Sequence, residues 1–321
     1  MKQSPVNRSK GEVVAVSRRW TGFRSVVCPV DFSEDSRLAL RYAEAVAARG
    51  NAALTIVYAN DPLLVAAAGA ALRDRNLAKR SADELQRFID RTLSPRARQH
   101  LPVRALVSTG EPEDQIMKAV TRARCDLIVM GTHGLTGAKR LLIGSTTLSV
   151  LQRSAVPVLA VPRSEGNRTP DSWGLWPGRR IVAALELDDA SDKDARVAAA
   201  IARWFGSSLV LVHVITQMAA PIWLQADPST GDPARVAKAR QQLDALAGRM
   251  RRRLKIDTRV LRGNVADEIA ALAEAERAGL VITALRDRRG WFGARRGSIS
   301  YHVLSRAITP VLALPPNWRR R

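Results

Sequence analysis

From Arg24 onward two hydrophobic periods take turns along the chain. Short apolar runs, rich in β-branched residues and bounded by turn formers, read as buried strands: Arg24 to Asp31, Ala53 to Ala59, Val103 to Ser108, Leu127 to Met130 and Val156 to Val161. Between them apolar residues recur at helical spacing. Ser33 caps a helix from Glu34 to Arg49 that gathers Leu38, Tyr42, Ala45 and Val46 on one face, with Gly50 as its stop. A second helix runs from about Asn76 to Leu93. A third opens at Gly110-Glu111-Pro112 with Ile116, Ala119 and Val120 inward, and a fourth spans Ser145 to Arg153. Strands alternating with helices across short turns predict an α/β fold, a doubly wound and mainly parallel sheet with helices on both faces.

The pattern then returns. Arg179 to Glu186 repeats Arg24 to Asp31, 155 residues later, and Gly263, Asp267, Ile269, Leu280, Gly297 and Ser298 repeat Gly110, Asp114, Ile116, Leu127, Gly144 and Ser145, 153 residues later. Thr309 to Pro315 repeats Val156 to Pro162 in the same frame, so the chain is an internal duplication. Arg163 to Gly178 is turn-rich and without period, hence a linker. The expected layout is a disordered basic arm over 1–20, a first domain over 21–163, a linker over 164–178, a second domain over 179–316 and a basic tail over 317–321. Val156–Val161 and Pro310–Leu314 are the least polar candidate edges, and an apolar edge is a liability in water. They are expected to lie side by side and join the halves.

Composition changes this picture in one respect. With 46% hydrophobic residues, 321 residues suffice for two ordinary cores, but 51 Lys and Arg against 30 Asp and Glu leave a net charge of +21. Such a charge favours acidic partners, whether nucleotides, nucleic acid or anionic lipid, and says nothing about fold. Met1 to Trp20 lacks the apolar stretch of a secretory signal, and the longest apolar run, Leu63 to Leu72, falls short of the ~20 residues that cross a bilayer. Cys28 and Cys125 lie in or beside apolar strands in no metal or redox spacing, which predicts buried free thiols and a reducing cytoplasm. His133 has no companion ligand at metal spacing, and His213 sits in an apolar strand as a core residue. No Ser-His-Asp or Cys-His arrangement stands out, so no catalytic residue is assigned and no enzyme is expected, with at most slow nucleotide hydrolysis.

The candidate chemistry lies between Met130 and Thr147. Gly131 and Gly134 follow a strand where the chain must turn and let backbone approach a ligand, and Gly144-Ser145-Thr146 opens a helix whose free N–H groups favour an anion. A P-loop is excluded, because five residues separate Gly131 from Gly137 and Ala138 precedes Lys139. Gly, two residues, Gly, nine residues, Gly-Ser resembles the nucleotide-binding pattern of the ATP-binding branch of the universal stress protein family. Both halves look like domains of that family.

The resemblance implies an open five-stranded sheet in each half, holding ATP, with or without magnesium, outside the strand ends. Asp31, after Pro29 and Val30, matches the family's aspartate beside the nucleoside, and Ala59 the position whose backbone meets adenine. Met130, Gly131 and Gly134 match the loop, and Gly144, Ser145, Thr146 and Thr147 the helix start that receives phosphates. Each has a plainer reading beside it: glycines of a long turn, a strand-end turn former at Asp31, a core residue at Ala59. The second half departs from the motif, with Glu186 for Asp31, Ala284 for Gly131 and Asp287 for Gly134. Its loop from Arg286 to Arg296 interleaves Trp291 and Phe292 with arginines, which keeps nucleic-acid binding by a basic surface as the alternative function. An ATP-using transferase has only Asp31 to recommend it. Pairing of the two domains within the chain is expected, and a homodimer of the whole chain stays open.

Overall fold

The computed structural model describes residues 20–63, 65–66, 77–133, 143–163, 176–216, 233–285, 299–316 and 318. The first half runs β1 (Ser25–Pro29), α1 (Glu34–Gly50), β2 (Ala53–Asn60), α2 (Leu77–Thr92), α3 (Pro95–His100), β3 (Val103–Thr109), α4 (Pro112–Arg122), β4 (Leu127–Gly131), α5 (Ser145–Arg153) and β5 (Val158–Val161). The second repeats the plan with β6 (Arg180–Ala184), α6 (Ser191–Phe205), β7 (Ser208–Ile215), α7 (Pro233–Gly248), β8 (Ile256–Arg262), α8 (Val265–Ala275), β9 (Leu280–Ala284), α9 (Ile299–Arg306) and β10 (Val311–Leu314). All strands join one sheet in the order β3-β2-β1-β4-β5-β10-β9-β6-β7-β8. Each half is the five-stranded parallel, doubly wound unit that the alternation predicts. Among the described residues no helix is long and apolar enough to cross a membrane.

The halves meet where expected. β5 and β10 pair antiparallel, Val311 opposite Ala160, Leu312 opposite Leu159 and Ala313 opposite Val158, and all four residues of each strand are buried. Strand alternation then sorts the side chains into two layers that run across both halves. Val26, Cys28, Leu54 and Ile56 share one layer with Tyr42, Ile181, Leu209 and Phe205. Val27, Val57, Ile128 and Met130 share the other with Ile116, Val150, Val182 and Val210.

On the first of these faces an aromatic seam fastens the halves. Trp20 and Phe23, which precede β1, meet Trp204 at ring-centroid distances of 5.7 and 5.4 Å, and Trp318 lies 6.3 Å from Trp20. Trp176 stands between Tyr42 of α1 and Phe205 of α6, 5.2 Å from each, and its indole N–H donates to the carbonyl of Gly279 at 2.9 Å. Arg49 adds a 2.7 Å hydrogen bond from Nε to the Trp204 carbonyl, and its burial lowers the guanidinium pKa.

The differences from the sequence reading lie at element ends. α1 stops at Asn51, which adopts the left-handed conformation (φ 47°), while Gly50 is its last helical residue. Gly50 answers a packing demand instead, because a Cβ there would stand 2.3 Å from the Phe23 carbonyl oxygen. β5 begins at Val158 rather than Val156. Pro157 has no N–H, and Val156 is held in a local turn by its N–H and carbonyl, both bonded to the Ser154 hydroxyl. α3 escaped the reading, although Ser94-Pro95 is a start signal and Ser94 does cap it.

Candidate functional site

The strand order reverses between β1 and β4, and at such a point the loops depart to opposite faces and leave a crevice at the carboxyl ends. β1 ends at Pro29, β4 at Met130 and Gly131, and β2, beside β1, at Ala59 and Asn60. Val27, Val57 and Met130 lie in the layer that α4 and α5 cover, so alternation turns Pro29 and Ala59 to that same side. The crevice thus brings Pro29, Asp31, Ala59, Met130 and Gly131 together above one end of the sheet.

Asp31 shapes its own corner. Its Oδ1 accepts from the Ser33 N–H at 3.1 Å and from the Ser33 hydroxyl, and Ser33 in turn caps α1 through the Ser36 N–H. Phe32 between them is left-handed (φ 65°), offset by ring contacts with Tyr58, tilted at 4.4 Å, and with Phe88, edge-on at 5.5 Å. Burial and then the charge of Asp31 raise the Tyr58 pKa, which keeps a neutral phenol beside the carboxylate.

The end of β4 is docked to the start of α5 by backbone. The Thr147 hydroxyl donates to the Gly131 carbonyl at 2.8 Å, and the Gly144 N–H donates to the Thr132 carbonyl at 2.8 Å. A Cβ on Gly131 would stand 3.2 Å from both the Asp35 and His133 carbonyl oxygens, so glycine lets β4 close against the start of α1. Gly144 is extended (φ −58°, ψ 148°), and a Cβ there would find only ordinary contact with the Thr132 carbonyl at 3.5 Å. The packing of the protein itself therefore favours glycine at 131 and not at 144. Gly134, with the rest of 134–142, lies outside the described residues.

α5 begins without a side-chain cap and without an acidic residue in its first turn. Among the described residues every other α-helix with a defined N-cap has one or both: α1 has Ser33, Glu34 and Asp35, α3 has Ser94, α4 has Glu113 and Asp114, α6 has Asp192 and Asp194, and α8 has Asn264, Asp267 and Glu268. Ser145 is exposed, Thr146 half-buried, and the first amides of a helix have no acceptor within it. That end carries partial positive charge, and among the described residues its first amides have no acceptor.

Charge around the crevice is set by Asp35, only 7% exposed at the start of α1. Burial raises its pKa, against which the charges of Arg163, 3.6 Å away, and His133 pull it down. His133 Nδ1 bonds the Thr132 hydroxyl at 2.9 Å, while its Nε2 is buried and has no partner among the described residues. The hydroxyl of Ser108, beside the crevice on β3, is buried and unpartnered in the same sense. The sequence reading missed Ser108, whose signal was a polar residue in step with Leu106 on an inward face.

The second half keeps the scaffold and loses the fittings. Leu187 repeats the left-handed corner of Phe32 (φ 57°), Glu186 is exposed, and Ala284 ends β9 where Gly131 ends β4. Val214 and Leu261 pair where Ala59 and Ser108 pair in the first half. His213 is not a core residue: it stands half-buried near the end of β7, its Nδ1 2.8 Å from the Leu185 carbonyl oxygen, because the strand has by then reached the rim of the crevice. Asp287, Gly297, Ser298 and the arginine-rich loop 286–296 lie outside the described residues. Among those described, no group of three His, Cys, Asp or Glu is placed to hold a metal ion. Cys28 and Cys125 are free, buried and in opposite layers.

A family model described as the universal stress protein family matches this chain twice, over residues 22–162 and 178–315. A universal stress protein of Mycolicibacterium smegmatis is 25% identical over 311 residues, covering 91% of this chain and 97% of its own. One from Methanocaldococcus jannaschii is 25% identical over 163 residues, 44% of this chain and 96% of its own. The crystal structure of a universal stress protein from Archaeoglobus fulgidus shares the fold, with a TM-score of 0.62 at 20% identity, across 91% of this chain and 98% of that one.

Proposed function

Because the chain belongs to the universal stress protein family, we propose that its first half binds one ATP per chain and that it serves as a nucleotide-dependent sensor or binding partner in a stress response. The observation that carries this reading is the start of α5, uncapped and without acid, beside the β1–β4 point at which the strand order of the first half reverses. The amides of Ser145, Thr146 and Thr147 would hold the phosphates, with Gly144 leaving room beside them. Asp31 would stand by the nucleoside and the backbone of Ala59 by the base. Bound magnesium would neutralise phosphate charge, which the open amides do in part without it.

The Nε2 of His133 and the hydroxyl of Ser108, both without a partner among the described residues, fit a polar ligand between them, since buried groups of this kind are rarely left unmatched. Gly131 closes the strand end on α1, and Ala284 replaces it in the second half, which favours a single site. We assign no catalytic residue among the described residues of the crevice, and the reading is binding with at most slow hydrolysis, in the cytoplasm. Calorimetry of the intact chain with ATP tests it: one site per chain is expected, and no binding, or two equal sites, overturns it.

A further inference from the structure

We propose that Ser108 is the residue that reads the nucleobase, an assignment that rests on the nucleotide reading above. β3 is the outermost strand of the first half, and its register sets Ser108 opposite Ala59. Register partners in a parallel pair share a face and stand roughly 4.8 Å apart. Leu106, two residues earlier on β3, packs into the layer under α4, so Ser108 and Ala59 both face the side on which α5 offers its amides.

A serine on an edge strand ordinarily meets water. The Ser108 oxygen is buried, and among the described residues it has no partner. Its polar neighbours are turned elsewhere: the Asn60 side-chain oxygen accepts from Ser81 of α2 at 2.8 Å, and the Gln115 amide lies against Gly110. A desolvated hydroxyl left in this state is a cost that a ligand removes. The hydroxyl is donor and acceptor at once, which suits the edge of a heterocycle carrying a ring nitrogen and an exocyclic amino group.

Its place in the sheet separates it from the phosphates. β2 and β1 lie between β3 and β4, three strand spacings or roughly 14 Å, so a ligand with phosphates at α5 meets Ser108 only with its far end, the base. In the second half the corresponding pair is Val214 and Leu261, with no hydroxyl to offer.

The full-length chain, with Ser108→Ala and Ser108→Thr, is titrated with ATP and with inorganic tripolyphosphate. Loss of one hydrogen bond should weaken ATP by about three- to tenfold in Ser108→Ala. Tripolyphosphate should bind that variant as it binds the native chain, and Ser108→Thr should restore ATP. Unchanged ATP affinity in Ser108→Ala, or an equal loss for both ligands, overturns the assignment while leaving ATP binding standing. A native chain that binds no ATP overturns both.

Discussion

The indole of Trp204 occupies the place where a Cβ on residue 22 would stand, its Nε1 2.0 Å from that point. Gly22 precedes β1 and Trp204 belongs to α6, so this contact lies in the seam between the halves. Gly22 is also left-handed (φ 107°). Gly22→Ala must therefore strain the backbone and move a stiff indole together, for an expected loss of about 2–4 kcal/mol. Urea unfolding followed by tryptophan fluorescence checks it, and an unchanged midpoint would contradict it.

Two halves that share both core layers and a β5–β10 junction should not melt separately. Differential scanning calorimetry is expected to show one transition for the intact chain. Leu159→Glu with Leu312→Glu, which sets two like charges opposite each other in the junction, should split or broaden it. Two resolved transitions in the native chain would mean that the seam is not cooperative.

Gly131→Val tests the closure of β4 on α1. With backbone oxygens at 3.2 Å on two sides, the added carbons cannot be absorbed by a side-chain rotation. A stability loss of about 1–3 kcal/mol is expected, together with weaker ATP binding as the end of β4 is pushed off α1 and its carbonyl is shifted from the Thr147 hydroxyl. Thr147→Val keeps the shape and removes the bond to the Gly131 carbonyl, leaving a buried acceptor unmatched at about 1–3 kcal/mol. Calorimetric ATP titration and urea midpoints read both effects; full ATP affinity in Gly131→Val would remove that glycine from the site.

The buried thiols predict a dependence on alkaline pH. Burial pushes the Cys125 thiol up to about 12, from an ordinary 9.0, and moves Cys28 the same way. Below pH 9 both folded and unfolded chains keep the Cys125 proton. Between pH 9 and about 12 only the unfolded chain releases it, so the contribution present at low pH is lost as pH rises across that window. By pH 10 the loss from this thiol should be on the order of 1 kcal/mol. The urea midpoint of Cys125→Ala should accordingly fall less than that of the native chain between pH 8 and pH 10. Parallel slopes would rule out this source.

The repeated strands and helices were legible because each is long enough to show its period and is buried on a predictable face. The inward trio Ile116, Ala119 and Val120 of α4 is buried as the spacing indicated. Ends were harder, because they are set by partners distant in sequence. Gly50 reads as a helix stop, yet its reason is the Phe23 carbonyl, and the real stop, Asn51, differs from Gly206, the glycine that ends α6 in the second half. Trp176 sits in a stretch with no period, and only the folded chain brings Tyr42 and Phe205 to either side of it. At the site, the motif residues could be named from spacing, while Ser108 could not. What sets it apart is a buried hydroxyl without a partner among the described residues, a property that exists only once β2 and β3 are in register.

In an assembly of identical subunits every substitution appears in each copy, so a site and its counterpart stand or fall together. The β5–β10 junction lies within one polypeptide, and that constraint is absent: alanine at 284 leaves glycine at 131 untouched. Each half has its neighbour at a fixed local concentration that dilution cannot lower. One half is free to diverge as a permanent structural companion, and the other can keep its own strand-end fittings.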